Sequence, residues 1–148
     1  MALEGDINMQ NCRNIDFKNH SDGRGDLVAI EHPKDLPFEI KRVYYIYNVN
    51  AETPRGFHSH KDLEQVLLAV NGEIKIRLKT PNEEEIVQLS DPSKGLYVGP
   101  MVWREMFDFS DHAVLLVLAS HEYDENDYLR NYDDYEKEYA KVYKREVK

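Results

Sequence analysis

The chain has little cysteine: Cys12 is the only one among 148 residues. A single thiol cannot form an intrachain disulfide, and the absence of any Cys-x-x-Cys pair removes the usual ligands of a zinc cluster. The composition therefore fits a reducing compartment.

Long hydrophobic runs are absent as well. The longest apolar run covers residues 113–119, whereas a membrane-spanning helix needs about 20 such residues. Residues 1–6 lack the basic stretch and apolar core of a secretory signal. We therefore expect a soluble, cytoplasmic protein.

Positive charge is scarce, because 19 Lys and Arg residues face 28 Asp and Glu residues and the net charge is −9. Lys and Arg never form a run longer than two residues, so attraction to a nucleic-acid backbone is weak. We expect neither nucleic acid nor membrane as a partner. A small anion can still be held where a few guanidinium groups converge. The candidates for this are Arg24, Arg42, Arg55, Arg77 and Arg104.

The region 27–119 consists of short apolar or alternating runs separated by Pro, Gly, Asn and Asp residues. This spacing is typical of an all-β sandwich or barrel. The length suits one domain, so we predict a single domain over 1–148 with a β-barrel over about 10–120. The predicted strands cover 13–18, 26–32, 40–49, 63–70, 73–80, 84–90, 95–98, 104–109 and 112–119.

The tail changes character after residue 124, where tyrosines recur at steps of three and four. This is helical periodicity, and it predicts a helical tail over about 124–145 that packs its tyrosines on the barrel. The tyrosines are Tyr128, Tyr132, Tyr135, Tyr139 and Tyr143.

Two imidazoles, His58 and His60, stand two residues apart where the chain passes into a strong strand and hairpin at 63–78. Residues i and i+2 of a strand point to the same face, so both rings are expected to face one cavity. Imidazole is the side chain best suited to moving protons near pH 7. On an earlier strand, Arg42 and Tyr44 share one face and would add an anion-holding and proton-handling pair.

The spacing His58-x-His60-x-x-x-Glu64 also matches the first metal motif of cupin barrels. The corresponding later hairpin offers Arg104 in place of a further His, and a guanidinium has no lone pair to donate. A site with three protein ligands and an open position remains conceivable. We predict no metal, which leaves the imidazoles free to act as acid and base.

Six blocks in order resemble the dTDP-4-keto-6-deoxyglucose 3,4-ketoisomerases, which are small WxcM-like cupins. The blocks cover 25–31, 41–46, 55–61, 63–67, 95–100 and 117–120, and the similarity continues through 123–130. The resemblance implies a metal-free cupin jelly roll, or double-stranded β-helix, with a short C-terminal helix. It also implies a homodimer with exchanged N-terminal strands that uses no added cofactor.

The family's paired His residues fall on His58 and His60, its strand Tyr on Tyr44, and its Arg near the start of the barrel on Arg24. We expect His58 as the acid/base at carbon, His60 with Tyr44 as the shuttle between oxygens, and Arg24 as the group that stabilises the oxyanion. The roles of the two His could be exchanged. The expected substrate contacts are Arg42 to the diphosphate and, beyond it, Arg55, Gln65, Arg77, Tyr97, Trp103 and Arg104.

The implied reaction proceeds through an enediolate and moves the ketone from C4 to C3. Arg24-Gly25 resembles the type that forms galacto-configured products, which feed a 3-aminotransferase and an acetyltransferase toward a 3-acetamido-3,6-dideoxyhexose of a surface glycan. Arg104 departs from the His found in many relatives and puts a proton relay through that position in doubt.

Three alternatives remain. A sugar-nucleotide 3,5-epimerase would pair its His with a buried Asp, and the sequence shows no clear partner of this kind. A non-catalytic nucleotide-sugar-binding cupin would need the aromatic and Arg pocket but not the His pair. A metal-dependent dioxygenase or isomerase would carry stoichiometric bound metal.

Overall fold

The computed structural model describes residues 2, 3, 7 and 9–143. Within them the regular secondary structure is almost entirely β-strand, with one α-helix near the C-terminal end. The elements are β1 (Ala2–Leu3), β2 (Cys12–Asp16), β3 (Asn19–Asp22), β4 (Gly25–Val28), β5 (Arg42–Ile46), β6 (Arg55–His60), β7 (Gln65–Asn71), β8 (Ile74–Lys79), β9 (Glu84–Leu89), β10 (Lys94–Val98), β11 (Trp103–Phe107), β12 (Val114–Ala119), a 3₁₀ turn (Glu125–Asp127), β13 (Tyr128–Leu129) and α1 (Tyr132–Val142).

Two sheets enclose the core. One has the strand order β1-β9-β8-β11-β6-β13 and the other β2-β10-β7-β12-β5. Inward residues alternate with outward ones on strands such as β8, where Ile74, Ile76 and Leu78 are fully buried. They meet Leu67 and Leu115 of the opposite sheet in one cluster, and each such side chain contributes about 1.5–3 kcal/mol by burial. The predicted all-β cupin jelly roll is confirmed.

The outer face of the five-stranded sheet carries a second hydrophobic cluster. Phe17, Leu36 and Phe38, from the segment that joins β2 to β5, pack against Val66 and Leu68 of β7. Part of this segment is the β3–β4 hairpin, whose strands pair only with each other. An isolated two-stranded ribbon is marginally stable by itself, and this hairpin meets the rest of the fold through Val28, which packs against the second cluster.

The C-terminal helix begins later than predicted. Asp124 caps the 3₁₀ turn and Asn131 caps α1, because Asp and Asn oxygens accept the free N–H groups of a first turn. Tyr128 is therefore in β13, which pairs with β6, and its assignment to the helix is wrong. The end of the predicted helical tail at 144–145 lies outside the described residues.

The tyrosine stripe of α1 packs on the barrel as predicted. Tyr135 and Tyr139 are buried in a cluster with Met101 and Trp103, and the Tyr135 hydroxyl donates to the Met101 carbonyl oxygen at 3.0 Å. Among the described residues no helix is long and apolar enough to cross a membrane.

Candidate active site

The strand β6 carries the His pair and contains a β-bulge. Its register with β11 pairs His58 with Arg104 and Gly56 with Glu105, which leaves Phe57 as the extra residue. Gly56 has φ +90°, and a Cβ there would lie 3.1 Å from the Arg104 carbonyl oxygen. Glycine is therefore required at this position. A bulge redirects the side chains that follow it, and here His58 and His60 both turn into the barrel.

The two imidazoles contact each other but open on different cavities. Their ring centroids are 4.9 Å apart, edge to face, so the expected shared face is confirmed. His58 is 9% exposed and His60 fully buried. His58 lines a cavity of about 300 Å³, and His60 lines a neighbouring cavity of about 460 Å³. Instead of the one cavity expected for both rings, the structure has two adjoining cavities that share Arg42 and Tyr128 as lining residues.

The cavity at His58, here called the His58 cavity, is rich in positive charge. Three guanidinium groups, two phenols and the imidazole surround a space large enough for a hexose ring. Its lining consists of Arg42, Tyr44, Ile46, Arg55, Gly56, His58, Met106, Tyr128 and Arg130. Guanidinium groups suit an anionic group such as a diphosphate. The sequence predictions placed Arg42, Tyr44, Arg55 and His58 here and missed Arg130.

The neighbouring His60 cavity has the opposite electrostatic character. Its lining consists of Arg42, His60, Asp62, Leu63, His121, Glu122, Tyr123, Asp124, Asp127 and Tyr128. Four carboxylate residues line this cavity, and their negative charge disfavours the binding of an anion such as a diphosphate. The His58 cavity is consequently the better place for a diphosphate.

Tyr128 separates the two cavities and contacts both imidazoles. Its ring centroid lies 4.3 Å from that of His60 and 5.2 Å from that of His58. Its position follows from the register of β13, which places Tyr128 opposite His60. The Arg130 guanidinium lies 4.1 Å from the centroid of the Tyr128 ring, in cation–π contact. The sequence analysis did not predict Tyr128 as a site residue, because the spacing of the tyrosines assigned it to the C-terminal helix.

Both imidazoles are neutral at pH 7. Burial and, after it, the positive charge of Arg104 together lower the pKa of His58 to about 3. The same two causes, in the same order, hold the pKa of His60 well below its ordinary value, and His58 adds to them. A neutral imidazole keeps the free lone pair that a general base needs.

Acid should destabilise the fold through these buried imidazoles. An unfolded His binds its proton near pH 6.5, whereas folded His58 binds it only near pH 3, so stability is lost as the pH falls below 6.5. Between pH 7 and pH 5 we expect the native protein to lose about 2 kcal/mol more unfolding free energy than the variant His58→Gln. Urea unfolding at both pH values measures the difference; equal losses in the two proteins would contradict it.

Asp127 is the acidic neighbour of His60. Its Oδ2 atom lies 3.3 Å from Nδ1 of His60, and the carboxylate is held by the backbone N–H groups of Asp62 and Leu63 at 2.9 and 3.3 Å. The sequence showed no His–Asp partner, and the structure brings Asp127 close to His60, although Nδ1 of His60 makes no hydrogen bond to it. Asp127 lies in the 3₁₀ turn before β13, far from His60 in the sequence. The two residues meet only because β13 pairs with β6, so the sequence alone could not predict the contact.

The structure corrects two predicted substrate contacts inside the barrel. Arg104 is fully buried opposite His58 and donates to Gln65 Oε1 at 2.6 Å and to the Val102 carbonyl oxygen at 2.9 Å. Gln65 is fully buried too, and its amide nitrogen donates to the Tyr44 hydroxyl at 3.0 Å. Both the oxygen and the nitrogen of the Gln65 amide are therefore hydrogen-bonded to protein groups rather than placed as substrate contacts.

Two further predicted contacts lie on the other face of the six-stranded sheet. Arg77 forms ion pairs with Glu84 at 3.4 Å and Glu105 at 2.9 Å. Trp103 donates its indole N–H to Glu105 at 3.1 Å and packs on Tyr135 of the helix. Both residues therefore stabilise the sheet and the helix rather than the His58 cavity.

Tyr97 is also outside the site, and with it Glu64. The Tyr97 hydroxyl donates to Glu64 Oε1 at 2.6 Å, and the Tyr97 ring packs in the outer cluster of the five-stranded sheet. Glu64 is thus turned away from His58 and His60. No group of three or more His, Cys, Asp or Glu in the described part of the chain is arranged to hold a metal ion.

Arg24 does not join the His pair within one chain. It lies at the turn of the β3–β4 hairpin, its side chain is 92% exposed, and its guanidinium pairs with Asp22 at 2.9 Å. It lines neither of the two cavities at the imidazoles.

Comparison with known proteins identifies the family. Residues 10–140 match the family model described as FdtA: WxcM-like, C-terminal. The chain is 54% identical over 128 residues to the TDP-4-oxo-6-deoxy-alpha-D-glucose-3,4-oxoisomerase of Aneurinibacillus thermoaerophilus, which covers 86% of this chain and 92% of that relative.

Solved structures agree with this result. A mutant of the 3,4-ketoisomerase QdtA from Thermoanaerobacterium thermosaccharolyticum, in complex with TDP-4-keto-6-deoxyglucose, aligns with a TM-score of 0.88 and 57% identity over 90% of this chain and 96% of that chain. The WlaRB TDP-quinovose 3,4-ketoisomerase from Campylobacter jejuni aligns with a TM-score of 0.84 and 46% identity over 87% and 99%. The chain therefore belongs to the FdtA, WxcM-like, C-terminal family, and it is an isomerase.

Proposed function

We propose that this isomerase converts dTDP-4-keto-6-deoxyglucose into the corresponding 3-keto sugar nucleotide. The observation that carries the proposal is the neutral, buried imidazole of His58 in a cavity that also holds Tyr44 and three guanidinium groups. The relatives named for 3,4-ketoisomerisation support the same reaction.

The reaction needs a base at carbon and a proton path between two oxygens. The C4 carbonyl acidifies the proton on C3, and His58 removes it to give an enediolate. His58 then returns the proton to C4, while the O3 proton is lost and O4 gains one. The net change moves one hydrogen from C3 to C4 and one from O3 to O4, so no outside oxidant is required.

We assign the oxygen side to Tyr44 and His60. Tyr44 lines the same cavity as His58, and His60 touches the His58 ring from the neighbouring cavity. Arg42 lines both cavities and, with Arg55, would hold the diphosphate. Acid–base groups of this kind contribute about 10²–10⁴-fold each.

We expect Asp127 to affect catalysis by fixing the tautomer of His60. A carboxylate facing Nδ1 favours the tautomer that carries its proton there, which leaves Nε2 with the free lone pair. We expect Asp127→Asn to lower kcat by about 10²-fold, with KM little changed. The matched control is Glu122→Gln, because Glu122 lines the same cavity. Steady-state kinetics and melting temperatures measure both; a folded Asp127→Asn protein with unchanged kcat would refute the assignment.

We further propose a homodimer in which exchanged N-terminal segments carry Arg24 to the partner's His58 cavity. The β3–β4 hairpin has no buried residue, and the edge strand β5 exposes Val43 and Tyr45, the latter to 62%. Apolar surface on a sheet edge suits a second copy of the chain. Arg24 would there stabilise the oxyanion of the enediolate.

For the product we propose the galacto configuration, on the resemblance of Arg24-Gly25 to that type. A 3-aminotransferase and an acetyltransferase would then lead to a 3-acetamido-3,6-dideoxyhexose for a surface glycan. Proton coupling constants of the product at C4 distinguish galacto from gluco.

The direct test of the function is to trap the product. Purified protein is incubated with dTDP-4-keto-6-deoxyglucose and a 3-aminotransferase with its amino donor. We expect a dTDP-3-amino sugar that forms only when the protein is present. Binding of the substrate without any 3-amino product would reject the ketoisomerase.

One observation favours a second candidate. The His60–Asp127 pair is the arrangement that a 3,5-epimerase would need for its base. Such an enzyme would exchange the protons at C3 and C5 with solvent and leave the ketone at C4.

A further inference from the structure

Gln65 connects the buried charge of Arg104 to the phenol of Tyr44. Arg104 Nη1 donates to Gln65 Oε1 at 2.6 Å, and Gln65 Nε2 donates to the Tyr44 hydroxyl oxygen at 3.0 Å. The three residues come from β11, β7 and β5, so this chain of hydrogen bonds crosses the barrel from one sheet to the other.

The direction of both bonds is fixed by chemistry. A guanidinium carries only donors, so the oxygen of the Gln65 amide must face Arg104. The amide nitrogen must then face Tyr44, and an amide N–H₂ group only donates. The Tyr44 oxygen is therefore the acceptor, and its own O–H remains available for another acceptor.

Arg104 cannot release Gln65 by turning away. Its side chain is fully buried and is also held by the Val102 carbonyl oxygen at 2.9 Å. Removing one partner of a buried charged hydrogen bond leaves an unsatisfied group and is costly. The amide of Gln65 is thus locked in one orientation, which leaves the O–H of Tyr44 as a donor on a residue that lines the His58 cavity.

We propose that Gln65 is a positioning residue that holds Tyr44 as a hydrogen-bond and proton donor toward the sugar oxygen in the His58 cavity. This inference rests on the proposed ketoisomerase function. It replaces the predicted role of Gln65 as a substrate contact. Tyr44 meets the substrate, whereas Gln65 acts only through Tyr44.

The sharpest variant is Gln65→Glu, because it keeps the size and the acceptor for Arg104 but removes the N–H₂ donor. The second carboxylate oxygen would accept the O–H of Tyr44 and take it from the substrate. We expect kcat to fall about 10²-fold, as for Tyr44→Phe, because one acid–base group is lost. The affinity for TDP should change less than about threefold, since the residue makes no contact with it.

A double-mutant cycle separates positioning from simple damage. If Gln65 acts through Tyr44, the variant Gln65→Glu/Tyr44→Phe will be no slower than Tyr44→Phe alone. Losses that multiply would overturn the proposal, and so would wild-type kcat in Gln65→Glu. The variant Gln65→Met, which removes both hydrogen bonds, enters the same cycle if the glutamate variant fails to fold.

A second readout needs no turnover and therefore stands apart from the proposed function. The ultraviolet titration of the protein minus that of its Tyr44→Phe counterpart isolates the Tyr44 phenol. A carboxylate at position 65 disfavours the phenolate, so Tyr44 should titrate at higher pH in Gln65→Glu than in the native background. An unchanged titration would overturn the positioning role, whatever the substrate proves to be.

Discussion

The variant His58→Asn is expected to lose about 10³–10⁴-fold in kcat while its affinity for TDP stays within about threefold of the native value. In the proposed mechanism this loss corresponds to removal of the base that takes the C3 proton, near the upper end of what one acid–base group contributes. The binding is retained because the guanidinium groups of the His58 cavity are untouched. Coupled assays give kcat, and calorimetry with TDP gives the affinity.

The control for this variant is His112→Asn. His112 lies outside both cavities and has φ +61°, a backbone conformation that Asn adopts readily. It should keep native activity. Native-like turnover in folded His58→Asn would remove His58 from the mechanism, and loss of TDP binding together with turnover would indicate damage to the cavity rather than a missing base.

If Arg24 acts in the partner's site, two impaired variants should together form one active site with native activity. We expect Arg24→Ala to lose about 10²-fold in kcat through the missing oxyanion contact, and His58→Asn to be nearly inactive. A heterodimer of the two contains one site with native His58 and native Arg24. Because a two-fold dimer has two equivalent sites, this heterodimer should recover about half of the native activity.

The experiment co-expresses the two variants with different tags and purifies the heterodimer through both tags. The control is the heterodimer of Arg24→Ala with native chain, which should also retain about half of the native activity. If Arg24 serves its own chain, the first heterodimer will show no recovery, and if the protein is monomeric, no heterodimer will be purified through both tags. That result would refute the exchange.

Much of the site followed from strand alternation. The spacing of His58 and His60 placed both rings inside the barrel, and the spacing of Arg42 and Tyr44 placed both on the inward face of β5. The same rule, applied to 74–79, would have shown Arg77 on the outer face, since Ile76 and Leu78 on either side of it point inward.

Other features depend on contacts that no local pattern records. The bulge at Phe57 arises from the register of β6 against β11, and it decides where the imidazoles point. Tyr128 continued a helical spacing in the sequence, yet capping by Asn131 starts the helix three residues after β13. Pairing with β6 then turned Tyr128 into the wall between the two cavities.

Arg104 shows a further limit of the sequence. The sequence identified it as a departure from a common His but could not show its surroundings. The structure places it fully buried, with Gln65 as its acceptor, so its influence on the imidazoles and on Tyr44 is electrostatic and indirect. The identity of a buried charge's partner depends on packing between sheets, which sequence order does not reveal.

The most direct test of the account is a proton NMR time course of EDTA-treated protein with dTDP-4-keto-6-deoxyglucose in D₂O. The account predicts a 3-keto sugar nucleotide that carries hydrogen or deuterium at C4, with the C5 proton retained and with no need for added metal. Deuterium at both C3 and C5 with the ketone still at C4 would contradict it and would establish epimerisation instead.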